Sequence, residues 1–280
     1  MTNEVVTENN NNNQLFVVND NLMSKMSQDA ETYVDDTNVE DLTIPRLKLV
    51  QSATPQVKKA DPSYIKGLEE GDLLDTLTNT FIKGEVGAFI VPVKRKVVFL
   101  EWNDIQVGGG LRNNFGEDPT VYNQTPKDSE GKRTREIDGI KTEIIKTYDT
   151  YAYLISSDFK EVKEIVLSLS RSQEKSMRDF NSLIRMLQDP KTGKQLPEYA
   201  GLYKVTTVPV KNDKGSWFVY KFAAAGYTLA IPGIGERVYN EAKKFYENIS
   251  SGSVKAQEYD NEKSSNKDEG FIDQVDEQKI

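Results

Sequence analysis

Cations and aromatic rings recur together along this chain. Lys94-Arg95-Lys96 is followed within a few residues by Phe99 and Trp102. Arg112 and Phe115 stand beside three consecutive glycines at 108–110, and Arg171, Lys175 and Arg178 cluster farther on. Tyr203 and Lys204 precede Trp217, Tyr220 and Lys221, and from 168 to 221 ten bases face five acids. Cations that follow phosphates, with flat rings that stack on bases, are the pairing a single nucleic-acid strand requires. The structural alternative is that strand aromatics enter the core and a Lys-Arg-Lys run guards a sheet edge. Trp217 is the better tryptophan candidate, because alternation sets it opposite Phe218, Tyr220 and Phe222.

Other chemistry is narrower. The 280 residues include neither cysteine nor histidine. That excludes disulfides, thiolate nucleophiles, a Ser-His-Asp triad and zinc sites built on Cys or His. The remaining enzymatic pattern is Glu161-Val162-Lys163 with an upstream Asp149 or Asp158. Those are the residue types with which a metal-dependent nuclease holds Mg²⁺ and activates water. A solvated charged turn explains the triplet better. The glycine run lacks the Gly-Lys-Ser/Thr ending of a phosphate loop and is better read as a hinge. No catalytic residue, metal ligand or cofactor is therefore expected.

The elements that would position these residues follow from periodicity. Alternation predicts strands at 44–50, 71–76, 86–102, 147–156 and 162–170. Pro92 implies a sheet edge or a bulge. Met177, Phe180, Leu183, Ile184 and Leu187 fall at helical spacing, with Ser170 and Gln173 as a capping box. Strands 202–210 and 216–224 form a hairpin across Asn212-Asp213-Lys214-Gly215, and a last helix over 235–249 buries Val238, Ala242, Phe245 and Ile249. Residues 103–142 are expected to form a long mobile insertion. The order suits a β-rich α+β fold: an OB-like barrel with one helix between strands, a C-terminal helix and disordered acidic termini.

Charge divides the chain the same way. There are 36 Lys+Arg against 44 Asp+Glu, a net charge of −8. Residues 1–42 carry −8 and residues 250–280 carry −4, which leaves +4 on the body at 43–249. Both ends hold too little apolar surface to offset chain entropy and are expected to be disordered arms. The second sets Phe271 and Ile272 among Asp273, Asp276 and Glu277, as a partner-docking tail would. The polar N-terminus lacks a signal-peptide pattern, and no apolar run approaches the ~18 residues of a membrane span. The expectation is a cytoplasmic protein with no membrane partner.

A resemblance joins these features. Ile44-Pro45-Arg46-Leu47-Lys48-Leu49-Val50-Gln51 leads to Pro55, Tyr64-Ile65-Lys66-Gly67, Glu70-Gly71-Asp72, Val91-Pro92-Val93 and Leu100-Glu101-Trp102. Leu169-Ser170-Arg171-Ser172-Gln173, Lys175-Ser176, Asn181-Ser182-Leu183 and Asn212-Asp213-Lys214-Gly215-Ser216-Trp217 continue the pattern. Over about 44–222 the chain resembles tailed-bacteriophage single-stranded DNA-binding proteins. The resemblance implies an OB-type fold, a role in phage DNA replication or recombination in the host cytoplasm, and no catalytic residues. It also implies an acidic tail of the kind that often recruits polymerase or helicase, although Lys279 and Ile280 here follow the last acid. DNA-binding residues come from the cation–aromatic pattern: Lys94, Arg95, Lys96, Phe99, Trp102, Arg112, Arg171, Lys175, Arg178, Tyr203, Lys204, Trp217 and Lys221. The alternative classes are a virion-internal or accessory protein-interaction protein and the Mg²⁺-dependent nuclease. A homo-oligomer stays open.

Overall fold

The computed structural model describes residues 43–104, 109–213 and 215–259. The expected arm at 1–42, and the tail from 260 with Phe271, Ile272, Asp273, Asp276 and Glu277, lie outside the described residues. The elements run β1 (Thr43–Ile44), β2 (Leu47–Leu49), β3 (Leu73–Asp75), β4 (Phe81–Ile82), β5 (Ala88–Asn103) and β6 (Leu111–Asn114). Next come α1 (Thr120–Gln124), β7 (Thr134–Ile137), β8 (Ile140–Ile155), β9 (Val162–Ser170) and α2 (Glu174–Arg185). The chain continues through β10 (Gly201–Asn212), β11 (Gly215–Tyr227), α3 (Gly235–Ser251) and β12 (Lys255–Ala256). This is a β-rich α+β fold of mainly antiparallel sheets with few helices.

β5 and β8 are rich in β-branched and aromatic residues, and pair antiparallel along nearly their whole sixteen-residue lengths. At one end β10 and β11 continue the sheet from β5, and β9 continues it from β8, giving the path β11-β10-β5-β8-β9. At the other end β6 flanks β5 and β7 flanks β8. The ladder slips between Pro92 and Lys94, so the proline missing a donor sits at a bulge in an interior strand.

Within the expected insertion at 103–142 the described residues form β6, α1 and β7, which build an arm around one carboxylate. Glu101 is fully buried and accepts from Arg135 at 2.6 and 2.8 Å, Asn113 at 2.6 Å and Thr142 at 2.7 Å. Burial alone would raise its pKa, but these four hydrogen bonds hold it down to about 2. One side chain thus ties β5, β6, β7 and β8 together.

Two apolar layers flank the sheet. On the inner side Leu47, Leu73, Ile90, Ala152, Ile165, Leu167 and Val205 pack with Met177 and Phe180 of α2. On the outer side α3 lays Val238, Ala242, Phe245 and Ile249 over Val91, Val93, Tyr151, Tyr153 and Leu202. Each large side chain so buried contributes about 1.5–3 kcal/mol. The small sheet β2-β3-β4 lies between β9 and the β10–β11 hairpin. Val166 N donates to Pro45 O at 2.8 Å on one side, and Thr207 N donates to Gly84 O at 3.0 Å on the other. A Cβ on Gly84 would stand 2.0 Å from Gly71 O, so only glycine fits there.

The strand path does not close on itself. Where β11 meets this seam, two glutamines stand in for a neighbouring strand. Gln51 donates to Phe218 O at 2.8 Å and accepts from Phe218 N at 3.0 Å. Gln173 donates to Phe218 O at 2.9 Å and accepts from Tyr220 N at 3.0 Å. The expected capping box with Ser170 is therefore not formed: Ser170 makes no side-chain cap bond, and the Gln173 amide is used on β11 instead.

The folded body also extends past the expected boundary at 249. β12 pairs in parallel with β1, and Gln257 N donates to Ile44 O at 2.9 Å. Tyr259 reaches Asp149 at 2.6 Å, with the Arg46 guanidinium 3.7 Å from its ring centroid. Among the described residues no helix is long and apolar enough to cross a membrane.

Candidate nucleic-acid interface

The β10–β11 hairpin exists because two alternating runs flank an Asn-Asp-Lys-Gly turn, with Gly215 at φ +145°. Alternation gives it two unlike faces. Tyr203, Val205, Thr207, Phe218, Tyr220 and Phe222 turn inward, and Phe222 stacks on Phe180 of α2 at 4.0 Å. The outer face carries the cross-strand pairs Lys204–Ala223, Thr206–Lys221, Val208–Val219 and Val210–Trp217. Lys204 and Lys221 are exposed diagonal neighbours about 7–8 Å apart. Neither makes an ion pair with any described residue. Trp217 is half-buried, and its indole N–H is a buried donor with no acceptor. Two cations without an ion-pair partner among the described residues, on the same sheet face as a partly exposed ring, suit an anionic, base-bearing strand.

The other sequence-predicted residues divide sharply. Tyr203 is 1 % exposed and edge-on to Phe180, and burial pushes its phenol up to about 12. Phe99 is 5 % exposed and packs against Tyr122 at 5.0 Å. Neither ring can stack on a base, so both expectations are corrected: on these strands the aromatic enters the core.

Most of the cations are engaged. Arg95 grips Glu198 with two nitrogens, at 3.0 and 2.6 Å, and also reaches Asn181. That arginine pins α2 and the 3-10 turn Glu198–Ala200 to β5, a structural role. Lys94 donates to Ser250 at 2.7 Å, Lys96 pairs with Glu117 at 3.2 Å, and Arg112 with Asp138 at 2.6 Å. Arg171, at φ +49°, pairs with Glu143 at 2.7 Å. Trp102 is the cross-strand partner of Glu143, whose carboxylate Arg171 holds. Lys175 pairs with Asp179 on the exposed side of α2, where Arg178 also lies. That helix packs on the inward side of β11, away from Lys204 and Lys221.

The nuclease constellation is not assembled. Asp149 lies opposite Ser168 in the β8–β9 ladder and is bound by Arg46, Ser168 and Tyr259. Lys163, several rungs away opposite Leu154, pairs with Asp75, while Asp158 caps its own turn from Ser156. No group of acids among the described residues is arranged to hold a metal ion.

Sequence reasoning missed a surface cluster of Tyr199, Tyr239 and Tyr246. Its only sequence trace is the seven-residue spacing of the last two on α3.

Residues 11–255 match a family model described as Pam3 phage gp34-like protein. The chain belongs to that family. Membership makes it a phage protein, and the match spans the arm, the hairpin and α3. No curated protein and no solved structure matches the chain.

Proposed function

We propose that this member of the Pam3 phage gp34-like family is a sequence-tolerant single-stranded DNA-binding protein. It would coat exposed strands during phage DNA replication or recombination. The observation that carries this reading is the outer face of β10–β11, which presents Lys204 and Lys221, without an ion-pair partner among the described residues, and Trp217, four residues along β11 from Lys221. The topology supports it. β5, β8, β9, β10 and β11, with α2 between β9 and β10, follow the order of the five strands of an OB-type barrel. In that scheme β2-β3-β4, Gln51 and Gln173 fill the seam where the barrel would close. OB-type barrels bind strands on the face of their second and third strands, β8 and β9 in this scheme, and through the loops after their first and fourth strands. Those loops are the arm carrying Glu101 and the hairpin tip beside Trp217. The tail beyond Tyr259, with Phe271, Ile272, Asp273, Asp276 and Glu277, is the proposed docking element for a polymerase or helicase.

The test is fluorescence titration with oligo-dT at several salt concentrations. Binding should weaken linearly with log salt, with each phosphate contact adding about −0.7 to the slope. K204E/K221E should lower affinity and flatten that slope by about 1.4. Stacking should quench Trp217, so the quench should be lost in W217F. No binding at about 50 mM salt, or a double variant with an unchanged slope, would refute the proposal.

A further inference from the structure

Three tyrosines from two separate elements meet on the surface next to α3. The rings of Tyr199 and Tyr239 lie 5.3 Å apart at 69°, and those of Tyr199 and Tyr246 lie 6.1 Å apart at 55°. The Lys94 ammonium sits 5.2 Å from the Tyr246 ring centroid, held there by Ser250. Tyr246 is 41 % exposed, and Tyr199 and Tyr239 are half-buried. None of the three hydroxyls bonds to a described residue. Tyr199 packs against the edge of the outer core, whereas Tyr239 and Tyr246 lie off the inner stripe of α3 formed by Val238, Ala242, Phe245 and Ile249.

Position gives the cluster its meaning. Leu202 is packed under α3, and along β10 the next residue on the same face is Lys204. The tyrosines beside α3 therefore lie on the same side of the sheet as Lys204, Lys221 and Trp217. Lys204 is five positions after Tyr199, at most about 17 Å of extended chain. Lys243, exposed, falls between Tyr239 and Tyr246 on the helix. Of the nearby acids, Glu198 is neutralised by Arg95, and Glu247 remains.

Resting on the DNA-binding reading above, we propose that Tyr199, Tyr239 and Tyr246, with Lys94 and Lys243, form a second base-stacking station for the same strand. The strand would run along the outer face of the hairpin from Trp217, past Lys221 and Lys204, to these rings. Rings offer every base a face, so the station adds affinity and strand length without adding sequence preference.

The test compares two oligo-dT lengths, about 6 and about 16 nucleotides, near the two ends of the site-size range of one such domain. Wild type should bind the longer one more tightly. In the full chain, Y239A/Y246A should weaken the longer oligonucleotide about tenfold and leave the shorter nearly unchanged, and Y239F/Y246F should bind as wild type. If the alanine pair unfolds, Y239L/Y246L keeps apolar bulk while removing the flat rings, and the same pattern is expected. A folded leucine or alanine variant that binds both lengths like wild type would overturn the station. So would one that loses both lengths equally. If wild type binds neither length, the parent reading fails and this one with it. A protein that binds both lengths with wild-type salt dependence, but loses self-association in the alanine pair, would show a protein-docking surface instead.

Discussion

Replacing Asp149 with alanine should destabilise the protein more than any exposed charge substitution. Its carboxylate accepts from Ser168 Oγ and Tyr259 Oη, both at 2.6 Å, and from Arg46 Nη1 at 3.2 Å. The side chains of Asp149 and Arg46 are 5 % and 12 % exposed. Burial would lower the Arg46 pKa, but Asp149 and Tyr259 more than offset it, so the cation persists inside. Alanine would leave that guanidinium without its counter-ion, with Ser168, the Gln257 carbonyl and the Tyr259 side chain still in reach. Breaking a buried pair from one side costs about 3–5 kcal/mol. For a body of this size that corresponds to a fall in Tm of about 10 °C. Thermal unfolding followed by circular dichroism reads the loss. D158A, at an exposed turn, should stay within about 0.5 kcal/mol of wild type. Y259F removes one donor to Asp149 and should be destabilising in the wild-type background but nearly silent in D149A, because both changes act on one contact. A D149A protein melting within about 2 °C of wild type would refute the stabilising role of the buried Arg46–Asp149 pair.

Two further outcomes follow from the same kind of contact. Glu101 has its pKa depressed from 4.5 to about 2, so its stabilisation is present above pH 4.5 and lost as pH falls toward 2. E101Q should therefore flatten the acid limb of the stability profile over that window, and E101A should cost about 3 kcal/mol at pH 7 by stranding Arg135 and its neighbours; an unchanged acid limb in E101Q would contradict this. A chain ending after Tyr259 should melt like the full chain, whereas one ending after Ile249 should melt several degrees lower, because it loses β12, Gln257 and Tyr259. If the acidic tail competes with DNA, the first truncation should also bind oligo-dT more tightly.

Local pattern made much of the fold legible. β9 spans the predicted 162–170, since Ile165, Leu167 and Leu169 alternate without interruption. The hairpin, α2 and α3 lie within a few residues of their expected limits, because turn chemistry and 3.6-residue spacing are properties of neighbouring residues. Pro92 marked its bulge for the same reason. The strands within 103–142 were not legible, because they meet at Glu101, whose partners lie up to 41 residues away and whose burial no local window reveals.

The candidate interface was legible only in part. Alternation alone placed Trp217 opposite Phe218, Tyr220 and Phe222. It could not say that Tyr203 and Phe99 would be sealed in the core, since a strand residue's face acquires an inside only when another layer covers it. Nor could composition separate the free cations from the engaged ones. Arg95 is neutralised by Glu198, 103 positions away, and Arg46 by Asp149, also 103 positions away. Residue types and their alternation, held in the sequence, determined that cations and rings would line β structure. Which of them face solvent without a counter-ion was decided by tertiary packing, because ion pairing and burial depend on proximity in space, which pairs residues that are far apart in the chain.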